Sequence, residues 1–356
     1  KGQPTHRVPR IHVFQRGEAL LHDCLRFPSL DSLIDYVNNG CMKTTPPKHR
    51  YRIRNWREYN AALVNRGRLT IWFDEKAIDQ WYAQERTGKP GASQTYSDVA
   101  VQCAITIKEV YHLPLRGTEG FISSLIDLMK LPLICPDYST LSRRWEKVVV
   151  GITRSQTTSP RHIVIDSTGL KVYGEGEWKV RQHGYSKRRT WRKLHLGVDE
   201  STQEIVAVLT TSNDITDAEV LPDLLDQVDD PIRQVSADGA YDTRECHDAI
   251  QKRGARAAIP PRENAVLWPD KPGDIPHPRN TILGAIESKG RKGWKEDSEY
   301  HRRSLAETAM FRYKAIFGDR LAARKPGSQV VESYVRCAAL NRMTRLGMPE
   351  SYRVVM

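Results

Sequence analysis

Three short β-favouring runs, residues 162–167, 194–198 and 204–211, follow one another along the chain before any helical pattern intervenes. A helical stretch at 217–228 comes next, then a fourth run at 233–237, a helix pattern at 243–254 and a fifth run at 255–259. Short runs of apolar and β-branched residues bounded by turn signals read as strands, and apolar recurrence every three to four residues reads as helix. Such an order calls for a layered α/β arrangement in which helices cover a sheet.

Three strands, helix, strand, helix, strand and a final helix is the element order of a ribonuclease H-like α/β fold, a mixed sheet flanked by helices. That reading puts Asp166 on the central first strand and Asp238 at the end of the fourth. Residues 260–297, rich in Pro, Gly and Lys without a clear period, are expected to be a loop or short insertion. Residues 329–346 read as an amphipathic helix packing on the sheet. Upstream, residues 96–111, 118–130 and 139–147 read as three helices, so the chain divides into a helical region over 42–150 and an α/β domain over 151–356. The third helix carries Arg143 and Arg144 behind N-terminal hydroxyls and could serve as the second helix of a helix-turn-helix on DNA. Three short helices are equally the content of any small α-domain.

Asp166 and Asp238 each stand at or just past the end of a strand-length apolar run. Tyr300, Arg303, Glu307 and Lys314 follow the spacing Y-x2-R-x3-E-x6-K. At roughly 100° per helical residue they fall inside an arc of about 60°, a stripe too polar to be a core face. It is either a solvated face or a functional one. Three carboxylates converging from two strand ends and a helix would hold two divalent ions for in-line phosphoryl transfer, with oxygen donors that suit octahedral Mg2+. Asp242, four residues beyond Asp238, is expected to cap the following helix.

The 356 residues carry 55 Lys and Arg against 43 Asp and Glu, a formal charge of +12. Either the surface is simply basic, or the partner is a polyanion such as nucleic acid. Lys43, Lys48, Arg50, Arg52, Arg54 and Arg57 form an acid-free stretch that is either a phosphate-binding arm or a linker. Residues 179–193 hold seven Lys or Arg and no acid. There Arg188, Arg189, Arg192 and Lys193 would track phosphates while Tyr185 and Trp191 stack on a base; the alternative is a solvated hairpin with Trp191 packed on the sheet. His183 and His195 flank this segment and are expected to be structural, because two-metal chemistry needs no histidine base. The six cysteines are scattered without a C-x2-C pair, which suggests neither a zinc site nor a disulfide scaffold and fits a reducing compartment. No apolar run approaches membrane-spanning length, so a cytoplasmic protein without a membrane partner is expected. The first methionine is Met42, which suggests translation starting there and residues 1–41 as an upstream extension.

Asp166-Ser-Thr-Gly-Leu-Lys171, Ala237-Asp-Gly-Ala-Tyr-Asp242 and the Tyr300/Arg303/Glu307/Lys314 spacing closely resemble the three catalytic regions of bacterial insertion-sequence transposases with a DDE site. The likeness is to the insertion-sequence-five family within the Y-R-E-K grouping. Asn55-Trp-Arg-Glu-Tyr-Asn60, Leu69-Thr-Ile-Trp-Phe-Asp74, residues 113–120 and residues 136–144 are similar to that family too, so the resemblance runs from about residue 50 to 345. It implies Asp166, Asp238 and Glu307 as catalytic metal ligands for two Mg2+ ions, with Mn2+ able to substitute. It also implies Tyr300, Arg303, Lys314 and Lys171 as contacts to DNA. The alternative for Arg303 and Lys314 is intrahelical pairing with Glu307 or Glu299. Implied partners are terminal inverted repeats, target DNA and a second copy on paired ends, in the bacterial nucleoid. A metal-dependent nuclease without strand transfer and a domesticated DNA-binding protein without catalysis are the alternatives.

Overall fold

Alternation along one strand organises the α/β part of the protein. The computed structural model describes residues 50–84, 95–172, 191–269 and 277–354. Strands are β1 (Arg50–Ile53), β2 (Arg161–Val172), β3 (Trp191–Asp199), β4 (Ile205–Ser212), β5 (Ile232–Ser236), β6 (Arg256–Ala258), β7 (Arg320–Leu321) and β8 (Ser351–Val354). The main sheet has the order β4-β3-β2-β5-β6, with β7 also paired to β2. β3 runs antiparallel to β2 and β4, and β2, β5, β6 and β7 are mutually parallel where paired, so the sheet is mixed as expected. β1 and β8 pair separately as a two-stranded sheet.

Because strand side chains alternate between faces, β2 feeds two cores. Ile163 and Ile165 enter one with Val206, Leu221, Leu224 and Ile250. Val164 and Leu170 enter the other with Leu194, Leu196, Met310, Tyr313 and Leu340. The first face is covered by α7 (Asp217–Asp226) and α8 (Arg244–Lys252). The second is covered by α10 (Ser304–Phe317) and α11 (Pro326–Leu346), and the same core continues into the upstream helices. Those are α1 (Trp56–Arg66), α2 (Leu69–Trp72), α3 (Glu75–Asp79), α4 (Asp98–Val110), α5 (Leu115–Leu128) and α6 (Tyr138–Arg144). Full burial of each β2 isoleucine is worth about 2 kcal/mol. Gly197 on β3 is required by close approach: a Cβ there would meet Ala207 at 3.2 Å and Ile163 at 3.3 Å.

Two expectations need correction. Residues 278–297 are not loop but a helix, α9 (Pro278–Asp297), kinked at Gly290 with φ 73°. Pro278 opens it at a position where a missing N–H costs nothing, and the His277 ring accepts the Arg279 amide as cap. Its glycines and lysines erased the apolar period without preventing a helix. α11 is not amphipathic: buried residues surround it, including Glu332, Arg336 and Asn341, because it is packed by α4, β4 and α10 together.

The charges inside α11 are paired. Arg336 donates to Glu109 of α4 at 2.8 Å and to Glu332, and Glu332 accepts the Ala322 and Ala323 amides at 2.8 Å each. Lys108 completes the group on Glu109 at 2.6 Å. Removing one member strands a buried charge, a loss of about 3–5 kcal/mol. Arg336→Met should therefore lower the urea midpoint by that equivalent with an unchanged slope. A midpoint within error of the parent protein would show that the network is dispensable.

Candidate active site

Alternation on β2 also aims the polar residues. Asp166 shares parity with Val164 and faces α10, while Ser167 shares parity with Ile165 and faces α7. Accordingly Asp166 Oδ2 accepts Arg303 Nη1 at 2.9 Å, and Ser167 Oγ donates to Asp217 of α7 at 2.9 Å. The Ser167 amide donates to Asp166 Oδ1 at 2.8 Å. Asp238 lies two residues beyond β5 and accepts the Ala240 amide at 2.9 Å, opening a 3-10 turn over Gly239–Tyr241.

Tyr300 and Arg303 are not on the helix that carries Glu307 and Lys314. They form a 3-10 turn, Tyr300–Arg303, entered from left-handed Glu299 at φ 55°, and α10 begins at Ser304. With three residues per 3-10 turn, side chains three apart eclipse, and the Arg303 guanidinium sits 5.9 Å from the Tyr300 ring centre. Arg303 also donates to Glu307. Arg303 thus pairs with Glu307, as the alternative expected, though from the 3-10 turn and not within one helix, and the same guanidinium reaches across to Asp166.

Asp166, Asp238, Glu307, Tyr300 and Arg303 are consequently one electrostatic group. Burial pushes the Asp166 carboxyl up, the Ser167 amide and Arg303 pull it down, and Asp238 and Glu307 push it up again. Burial would lower Arg303, but Tyr300, Asp166, Glu307 and Asp238 together raise it. Burial is also the main reason Tyr300 is raised. Three carboxylates around a single guanidinium leave an excess of negative charge, and oxygen-only donors match a hard divalent cation. Among the described residues no three His, Cys, Asp or Glu side chains are gathered closely enough to hold a metal, and Arg303 bridges Asp166 and Glu307. The donor set fits such an ion once that guanidinium yields.

Lys171 pairs with Asp319 at 2.8 Å, and Lys314 helps Lys171 hold that carboxyl low, so both lysines stand at the mouth of β2 and β7. Lys193 donates to Asp217 at 3.2 Å and to the Ile215 carbonyl at 2.8 Å. Arg192 donates to Gln329 at 2.9 Å, and Trp191 lies against Gly169, where a Cβ would touch its ring at 3.4 Å. Arg144 locks α6 to the start of α4 through the Tyr96 carbonyl and Asp98, whereas Arg143 is exposed with a 3.3 Å bond to Thr140. Arg188, Arg189, His183, Tyr185, residues 1–41, Lys43 and Lys48 lie outside the described residues.

Asp242 does not cap α8. Thr243 does, accepting the Cys246 amide, because it stands in extended conformation one residue before the helix. Asp242 instead receives both Nε and Nη2 of Arg279 at 2.9 Å and faces His247 at 3.2 Å, tying the Asp238 loop to α9. Arg279 itself lies 4.4 Å from the Trp268 ring centre. No local sequence signal marks this pairing over 37 residues. Ser167–Asp217 was equally invisible, although parity on β2 would have turned Ser167 toward α7.

Two family models, each described as a transposase DDE domain, match the chain, one over residues 64–175 and the other over residues 157–342. Among solved structures, the chain is similar to a piggyBac transposase synaptic complex with hairpin DNA at 12% identity, covering 79% of this chain and 73% of that one, with a TM-score of 0.34. It is also similar to the Drosophila P element transposase strand transfer complex at 12% identity, covering 56% of this chain and 45% of that one, with a TM-score of 0.26. Likeness at these TM-scores carries no weight for fold or function.

Two measurements follow from this geometry. Because Arg303 competes for the carboxylates, Arg303→Ala should bind Mn2+ several-fold more tightly in isothermal titration calorimetry; equal affinity would remove the competition. His162 and His195, 2% and 0% exposed, are pushed down to about 4, chiefly by burial. His195 is therefore neutral near pH 7, and its 3.8 Å approach to Asp217 is not an ion pair. A folded-state value below the unfolded one of about 6.5 means the unfolded chain takes up protons first. Stability should be full above pH 6.5 and fall towards pH 4, by up to about 3 kcal/mol per histidine. Urea midpoints across that window should show a shallower slope in His195→Asn; an identical slope would contradict this.

Proposed function

Given that the chain belongs to the family of DDE transposases, we propose that it is a DNA transposase of the insertion-sequence-five type. On this reading it binds the terminal inverted repeats of a bacterial element, frees 3′-hydroxyl ends and joins them to target DNA. The observation that carries the reading is the clustering of Asp166, Asp238 and Glu307 around Arg303 inside the matched segment.

Asp166, Asp238 and Glu307 would hold two Mg2+ ions, for which Mn2+ can stand in. When bound, that pair supplies activation of the attacking oxygen and stabilisation of the leaving one. The chain's own residues do the positioning. Arg303, released from Asp166 and Glu307, offers a planar fork to a phosphate, Tyr300 offers a hydroxyl donor, and Lys171 and Lys314 offer point charges beside the strand exit. The mixed sheet with β2 at its centre supports the ribonuclease H-like reading. Residues 42–150 would serve DNA binding and dimerisation, with Arg143 exposed on α6, and two copies would act on paired ends.

The decisive experiment incubates the protein with labelled DNA carrying a terminal repeat and a target plasmid, with Mg2+ or EDTA, beside Asp166→Asn, Asp238→Asn and Glu307→Gln. Nicking at the repeat boundary and joined products should require Mg2+ and vanish in each variant, while repeat binding persists. Cleavage without joined strands would indicate a nuclease. Binding without cleavage under every divalent ion would indicate a DNA-binding protein that has lost the chemistry.

A further inference from the structure

Behind the catalytic helix, two arginines meet without an acid. Arg66 closes α1 and Arg312 projects from α10, and both reach the C-terminal end of α11. Arg66 Nη2 donates to the Gly347 carbonyl at 3.2 Å, and Arg312 Nη1 donates to the Thr344 hydroxyl at 3.1 Å. Arg66 Nε and Arg312 Nη2 are buried and have no hydrogen-bond partner among the described residues. Among the described residues neither guanidinium forms an ion pair with a carboxylate, whereas Arg336, Arg279, Arg161 and Arg303 each do. Burial, and after it the neighbouring Arg66 charge, bring Arg312 down to about 10, with only Tyr59 opposing. Burial likewise lowers Arg66, again against Tyr59, whose ring centre lies 5.8 Å from the Arg66 guanidinium.

A helix C-terminus offers about half a negative charge, which does not balance two half-buried cations. Folds tolerate buried charge when it is paired and hydrogen-bonded, so this pair lacks its counterpart. The missing group must be anionic, accept several N–H bonds and suit planar forks. Phosphate oxyanions have that chemistry, and arginine is the side chain that grips them bidentately. Both residues retain partial exposure. We propose that Arg66 and Arg312, flanked by Tyr59, form a phosphate-binding site on the side of the catalytic helix away from Glu307. A backbone phosphate of DNA is the source expected if the transposase reading holds, but the site itself does not require cleavage.

Inorganic phosphate is the first probe. At ionic strength matched with chloride and without divalent metal, phosphate should raise the melting temperature of the full chain. Arg312→Met and Arg66→Gln should each lose that gain. Arg312→Met should also melt no lower than the parent in chloride, since it removes an uncompensated charge. A parent without a phosphate-specific gain, or a gain kept by both variants, would overturn the site and leave the two arginines as caps of α11. Should Arg312→Met fail to fold, Arg312→Lys keeps the charge but loses the fork, and should show a diminished gain. A second arm measures duplex DNA affinity against salt. Each neutralised arginine should reduce the slope of log K on log salt by about one if DNA supplies the phosphate. An unchanged slope alongside a lost phosphate gain assigns the site to free phosphate. Neither arm involves nicking, so failure of the cleavage assay and failure of this site are separable.

Discussion

The two-residue period of β2 is the constraint on which the rest of the structure depends. Buried on both faces, the strand must supply apolar residues to two cores, and Ile163, Val164 and Ile165 do so in immediate succession. The next two residues inherit the same alternation, and there it delivers chemistry instead of packing. Asp166 turns to the face covered by α10 and meets Arg303, while Ser167 turns to the face covered by α7 and meets Asp217. A slip of one residue in register with β3 would exchange both cores and send the carboxylate away from Glu307.

Around that strand, charge inside the protein is handled in two ways. Arg336, Glu332, Glu109 and Lys108 form a closed set in which every charge has an opposite, and it joins α4 to α11 and to the turn before α11. At the start of β2, Arg161 pairs with Asp199 and Asp230, and Arg154 approaches Asp230 at 3.6 Å, so two cations meet these two carboxylates. Arg303 is different. It satisfies two carboxylates that face a third, so its own pairing is provisional on what else enters the cluster. Such unequal pairing perturbs the ionisation of the groups involved, and perturbed groups of this kind concentrate at functional sites.

The kinked helix α9 has a related part. Asp242 follows Asp238 by four residues and is clamped by Arg279 from the first turn of α9. The loop bearing one carboxylate is therefore braced by a segment whose composition gave no hint of regular structure. On the proposed reading, bracing of this kind would keep Asp238 within the small tolerance that a catalytic constellation requires.

Element order along the chain, the presence of α7, α8 and α10, and the position of Asp238 just past a strand were legible in the sequence, because apolar period and run length are local properties. The extension of β2 to Val172, which leaves Asp166 mid-strand and not at a strand end, was not legible, since Ser167, Thr168 and Gly169 break the apolar run and only pairing with β3 holds them extended. The 3-10 turn at Tyr300–Arg303 escaped a uniform helical wheel because it depends on the left-handed Glu299 before it. Burial all round α11 needed neighbours from several remote segments that no window of sequence contains. By itself, then, the sequence determined which residues carry charge and roughly which elements bear them. Tertiary structure alone decided the partners, Arg303 with Asp166, Asp242 with Arg279, and Arg66 with no acid among the described residues, because pairing energy depends on distance and burial between segments remote along the chain.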